Sequence, residues 1–98
     1  MPYMIETWDK DDAYELRLQL RPKHLEYLDS IAQKLLACGT KISDDESFAS
    51  GGLYVVAVES RGEAEALINN DPFTQGGLFR EIAITKWRKA YFDGVNCL

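Results

Sequence analysis

A chain of 98 residues with a net charge of −5 has room for one domain, 1–98, whose core buries roughly 60–65% of the unfolded surface. Its 46% hydrophobic and 28% charged residues are those of a soluble globular fold. The acidic balance excludes the basic face needed by nucleic acid or an anionic membrane. The longest apolar run, Leu53 to Val58, is far too short to span a bilayer, and the N-terminal residues do not form a signal peptide, so a cytoplasmic protein is expected.

Tyr3 to Trp8 reads as a first strand. Asp11 to Leu20 fits both a helical and an alternating pattern, and its acidic start favours a short helix that Pro22 interrupts. Pro22 is a good first helical residue, since its missing N–H has no helical partner there. From Pro22 to Ala37 the apolar residues Leu25, Leu28, Ile31, Ala32, Leu35 and Leu36 recur at helical spacing, with Gly39 ending the helix. His24, the only histidine, then falls in the first turn, where the helix dipole favours a neutral imidazole.

Thr40 to Ser43 is a weak strand. Asp44-Asp45-Glu46 reads as a solvated loop, since a calcium loop needs a longer, regularly spaced set of oxygens. Ser50-Gly51-Gly52 reads as a turn. Leu53 to Glu59 is the strongest strand. Ser60 begins a helix, and Glu63 completes a capping box with Ala64, Leu67 and Ile68 on the apolar face. Asp71-Pro72-Phe73 leads into a loop containing Gly76-Gly77. A long last strand runs from about Phe79 to Phe92, and the tail from Asp93 shows no pattern.

Two βαβ-type crossovers in the order βα(α)ββαβ make a ferredoxin-like α+β sandwich, a four-stranded antiparallel sheet with helices on one face. The strongest strand is apolar on both sides: Val55 and Ala57 point one way, Tyr54, Val56 and Val58 the other. Helices cover one face only. A second copy is the economical cover for the other, which predicts a homodimer.

His24 is the one side chain of a type that exchanges protons near neutral pH, and Asp71 is the candidate to fix its tautomer. Arg21, whose fork suits carboxylates, and Phe73 are the candidate substrate contacts. Phe73 is also a packing residue, as are Tyr3 and Trp8. Cys38 and Cys97 form no CxxC pair, and one histidine is too few for a zinc site, so no metal is expected. Cys38 reads as a packed residue near a helix end. No serine sits in a nucleophile elbow and no glycine-rich loop opens a helix, so neither a serine triad nor a phosphate cofactor is expected.

Asp9-Lys10, Arg17-Leu18, Arg21-Pro22-x-His24-Leu25-x-x-Leu28, Gly51-Gly52, Glu59-Ser60, Asp71-Pro72-Phe73 and Gly77-Leu78 together resemble the YCII-related (YciI-like) proteins. The resemblance implies a dimeric ferredoxin-like α+β barrel and a site centred on a histidine and an aspartate, here His24 and Asp71. A few relatives act in dechlorination of aromatic breakdown products. The chain departs from many relatives at Cys38-Gly39-Thr40, in the short acidic loop, and in the tail from Asp93.

The expected function is a small cofactor-independent enzyme using His24 and Asp71 for acid/base chemistry on a small, anionic, cyclic or carbonyl-containing substrate, by elimination, isomerisation or hydrolysis. The alternative is a non-catalytic small-ligand-binding or accessory module. The two-faced sheet gives a direct test. Light scattering in dilute solution is expected to return twice the 11.1 kDa chain mass, and a monomer would demand a new account of Tyr54, Val56 and Val58.

Overall fold

The computed structural model describes all residues from Met1 to Leu98. Four strands, β1 (Tyr3–Asp9), β2 (Leu35–Ile42), β3 (Ala49–Val56) and β4 (Phe79–Lys86), form one antiparallel sheet in the order β2-β3-β1-β4. Helices α1 (Tyr14–Ser30), α2 (Arg61–Asn69) and the single turn α3 (Pro72–Gln75) complete the ferredoxin-like α+β arrangement. A small hairpin, β5 (Tyr91–Phe92) with β6 (Val95–Asn96), follows. No helix is long and apolar enough to cross a membrane.

Helix α1 corrects the expectation most. It starts at Tyr14, runs through Pro22 and ends at Ser30, so the two expected segments are one helix and His24 lies well inside it. The dipole argument for His24 therefore lapses. Pro22 costs a helix interior about 3 kcal/mol. It is tolerated on an exposed position of the helix. The buried residues of α1 are Arg17 and His24, not aliphatic side chains, while Leu18 and Leu25 are exposed. That polar inner face blurs the apolar periodicity.

Leu35 and Leu36 belong to β2, not to the helix, which a 3₁₀ turn at Ala32–Lys34 separates from the strand. Gly39 lies within β2 instead of capping a helix. The Ser50-Gly51-Gly52 stretch is not a turn but the start of β3. The true turn is residues 43–48, where Asp45 accepts hydrogen bonds from the hydroxyls of Ser43 (2.8 Å) and Ser47 (2.7 Å) and from the Ser47 N–H (3.1 Å). Those hydroxyls hold the exposed Asp45 carboxyl down at about 2. The last expected strand breaks after Lys86, and the tail is ordered by Asp93-Gly94, whose φ values of 52° and 75° suit a tight hairpin turn.

The main core lies between the sheet and α2. Ile5, Tyr54, Val56, Val58, Leu67 and Ile68 form it, with Leu28, Ile31, Ile82 and Ile84 packed alongside. Tyr54, Val56 and Val58 thus lie under the helices, which corrects the expectation that a second copy is needed to account for them; the face left for a partner is the one that carries Leu53. A second cluster, Ala13, Phe73 and Leu78, joins α3 to the start of α1. Alternation along the strands puts Met4, Trp8, Ala37, Leu53, Val55 and Ala83 on the opposite, uncovered face. There Lys41 pairs with Glu6 at 3.2 Å and sits 4.2 Å over the Trp8 ring.

Close approach of β1 and β3 depends on Gly51. A Cβ there would sit 2.0 Å from the Thr7 carbonyl oxygen, a backbone atom that cannot swing aside. A Cβ on Gly39 would meet nothing within 4 Å. Gly51→Ala is therefore expected to destabilise the fold by about 1–3 kcal/mol or more. Gly39→Ala should stay within about 0.5 kcal/mol of wild type. Parallel urea melts of the two variants compare them, and equal midpoints would contradict this packing account.

Candidate active site

Arg17, Arg21, His24, Leu25 and Leu28 recur at helical spacing on one stripe of α1. All five line a pocket of about 140 Å³ between α1 and the β2–β3 side of the sheet. The sheet wall is made of small or short residues: Thr7, Cys38, Gly39, Thr40 and Gly52, with Tyr54 and with Phe73 of α3 closing it. Space exists because these residues do not fill it. A cavity of roughly 150 Å³ holds a benzene ring, so this one is the size of a single six-membered ring.

Asp71 is buried with 0% exposure, and its carboxylate gathers donors from three elements. As the N-cap of α3 it accepts the Phe73 backbone N–H at Oδ1 (2.9 Å), and Pro72 follows at the first helical position, where it lacks nothing. From β3 the Tyr54 hydroxyl donates to Oδ2 at 2.7 Å. From α1, His24 Nδ1 lies 2.8 Å from Oδ1 and 3.0 Å from Oδ2. A carboxylate only accepts, so the proton of this bond sits on Nδ1. His24 Nε2 has no protein partner, yet no unpartnered side-chain nitrogen or oxygen is sealed from solvent. With His24 at the pocket wall, Nε2 is its free end.

The imidazole stacks on Phe73, ring centres 3.8 Å apart at 15°. The Arg17 guanidinium carbon lies 4.7 Å from the same ring centre. Arg17 is also held by Asp9, through Nε to Oδ2 (2.8 Å) and Nη2 to Oδ1 (3.3 Å). Arg21 is exposed at the mouth and makes no ion pair or hydrogen bond.

Burial, then the Asp71 charge and its hydrogen bond, raise the Tyr54 phenol above its ordinary range. Burial and the same charge raise Tyr27, whose hydroxyl donates to the Leu67 carbonyl at 2.6 Å. Burial of the thiol against the wall, with Asp71 adding to it, pushes Cys38 up to about 11. Cys38 is therefore not a packed residue at a helix end. It stands in β2 at the pocket wall as an exposed residue with a free thiol, and Cys97 is likewise free and exposed.

The four residues singled out from sequence, His24, Asp71, Arg21 and Phe73, thus come together around one pocket and its dyad. Arg17, Tyr54, Thr7, Thr40 and Gly52 also line the pocket, and the sequence alone does not mark them as site residues. Arg17 alone carried a readable signal, lying seven residues before His24 and so on the same helical face. Tyr54 looked like any strand aromatic.

Sheet order, helix placement and a ring-sized pocket against the helices define a ferredoxin-like α+β protein with a small-molecule-sized site. The chain belongs to the YCII-related family, whose domain matches residues 1–88. It is 30% identical over 98 residues to Protein YciI of Escherichia coli, covering 93% of this chain and all of that protein. The YciI protein of Shigella flexneri matches equally, at 30% identity over the same coverage. Among solved structures it is similar to the 5-chloro-2-hydroxyhydroquinone dehydrochlorinase (TftG) of Burkholderia phenoliruptrix, solved with 2,5-dihydroxybenzoquinone. That match has a TM-score of 0.83 and 26% identity, covering 90% of this chain and 94% of the other. A Chloroflexus aurantiacus protein described provisionally as an antibiotic biosynthesis monooxygenase shares the fold alone, with a TM-score of 0.54, 11% identity and coverage of 94% of this chain and 98% of its own.

The raised Tyr54 phenol has a consequence for stability. The native state keeps a proton that the unfolded chain loses above about pH 10. Its contribution is therefore complete below that pH and is lost as pH rises further. Tyr54→Phe leaves a buried carboxylate oxygen short of a donor, which costs about 1–3 kcal/mol at neutral pH. The same variant should lose less stability between about pH 9 and 11 than wild type does. Melting temperatures across that range test the pair of effects, and parallel curves would refute the assignment.

Proposed function

We propose that this protein is a cofactor-independent acid/base enzyme acting on a small, ring-sized substrate, with His24 as the proton-transfer group. The observation that carries the reading is an imidazole whose Nδ1 is bound to a fully buried carboxylate while Nε2 is left free at the wall of a pocket of about 140 Å³. Asp71 sets the tautomer and orientation, the part an aspartate plays behind other catalytic histidines. Nε2 takes a proton from the substrate. The electron pair of the broken bond then moves into a neighbouring carbonyl or expels a leaving group, and His24 returns the proton to product or water. The chemistry needs nothing beyond side chains and solvent.

Elimination is the member of this set favoured by similarity to a dehydrochlorinase. Arg21, unpaired at the mouth, draws anionic substrates into a chain whose net charge is −5. Phe73, itself buried, backs the imidazole and fixes its plane at the pocket wall. The uncovered sheet face, with Leu53 at 40% exposure, supports a homodimer joined sheet to sheet.

Chloride release from 5-chloro-2-hydroxyhydroquinone, the substrate named for the similar enzyme, is the first assay. His24→Asn is expected to lower turnover by ~10²–10⁴-fold with the fold intact. Asp71→Asn keeps a helix-capping oxygen but presents no charge, and should lose much of the same factor. If ring compounds bind and are recovered unchanged by wild type across a broad panel, the protein is a binding module and the catalytic reading fails.

A further inference from the structure

Arg17 has no part in the reading above, yet it is the most tightly held cation at the pocket. We propose that Arg17 is the specificity-determining residue of this site, and that it selects planar monocyclic anions by seating a ring-borne oxyanion on its free guanidinium edge. The inference rests on the pocket being a small-molecule site and adds the chemistry of the molecule it takes.

Arg17 is only 5% exposed. Asp9 occupies Nε and Nη2, at 2.8 and 3.3 Å. Nη1 has no protein partner and is not sealed from solvent, and Arg17 lines the pocket. Two outward N–H groups of a guanidinium are thus free at the cavity wall. Asp9 removes most of the cost of burying this charge and fixes the plane of the fork. The Phe73 ring, 4.7 Å from the guanidinium carbon, supports it from the side. Such a donor is ready before a ligand arrives, whereas the exposed Arg21 must be ordered by one.

The second argument is span. Arg17 and His24 are seven residues apart, a rise of ~10 Å along the helix, but both touch the one Phe73 ring. Guanidinium and imidazole are therefore no farther apart than two ring contacts. Both also line the one pocket, and its volume holds a single six-membered ring. The anion at one end leaves a ring carbon or ring oxygen at the other, where the imidazole is.

The oxyanion can be a carboxylate or a phenolate, and three ring probes separate these cases. Benzoate, 4-nitrophenol and neutral benzamide are titrated into the wild-type protein by calorimetry, and the imidazole resonances of the lone His24 report whether each ring enters the pocket. Benzoate, the phenolate, or both should bind about tenfold or more tightly than benzamide, the scale of a hydrogen bond to a charged group. The anion that shows the preference names the oxyanion class. Arg17→Gln should abolish the preference and leave benzamide binding unchanged. Arg21→Gln should weaken anion binding modestly and keep the preference. Should Arg17→Gln not fold, the preference in wild type and its survival in Arg21→Gln still decide the matter. Rings that enter without charge preference, or a preference lost in Arg21→Gln and kept in Arg17→Gln, overturn the assignment of Arg17 alone. Failure of every ring to enter overturns it together with the small-molecule reading of the pocket.

Discussion

A single buried carboxylate holds the two layers of this protein together. Asp71 is out of contact with solvent, and a charge in that position is tolerated only when its oxygens are filled with donors. Its donors come from the middle of α1, from β3 and from the first turn of α3. Helix, sheet and connecting turn therefore meet at two oxygen atoms. Removing any one donor leaves the others in place but leaves part of a buried charge uncompensated, which is why the arrangement is stiff.

The same carboxylate explains the unusual inner face of α1. An amphipathic helix ordinarily buries aliphatic side chains. Here the buried positions are Arg17 and His24, each matched to an acid, Asp9 and Asp71. Around them the sheet offers glycine, threonine and cysteine, so helix and sheet stay apart and a cavity remains. Aliphatic packing resumes on either side, with Leu28 and Ile31 against the main core and Leu16 and Leu20 against the smaller cluster. The pocket is thus a gap in the core whose rim is secured by the Arg17–Asp9 ion pair and the His24–Asp71 hydrogen bond.

Much of this architecture was legible from pattern. The first strand, the capped helix at Ser60 and the ferredoxin-like order follow from alternation, capping and crossover rules. Ser60 Oγ does accept the Glu63 N–H at 3.2 Å, and the Glu63 carboxylate accepts the Glu59 N–H at 3.0 Å. Around α1 the pattern misled, because Pro22 looked like a start and the leucines at 35 and 36 continued a helical period by coincidence. The glycines at 51 and 52 read as a turn, whereas both lie in β3 and the role of Gly51 is steric, letting β3 lie close to β1. Asp93-Gly94 carried a hairpin signal in plain view, obscured by the absence of apolar alternation on either side. His24 and Asp71 stood out by residue type. Tyr54 and Arg17 did not, since their distinction is an unseen partner across the fold.

Pro22 sits between Arg17 and His24 on α1. Having no N–H, it leaves the Leu18 carbonyl without its helical donor. The turn joining the guanidinium to the imidazole is therefore the one with the weakest backbone ladder, while both its ends are clamped to acids on the sheet and on α3. A bend of α1 at this break would change the separation of those two side chains. The proline thus puts the one missing rung of the helix ladder between the two clamped side chains at the pocket wall.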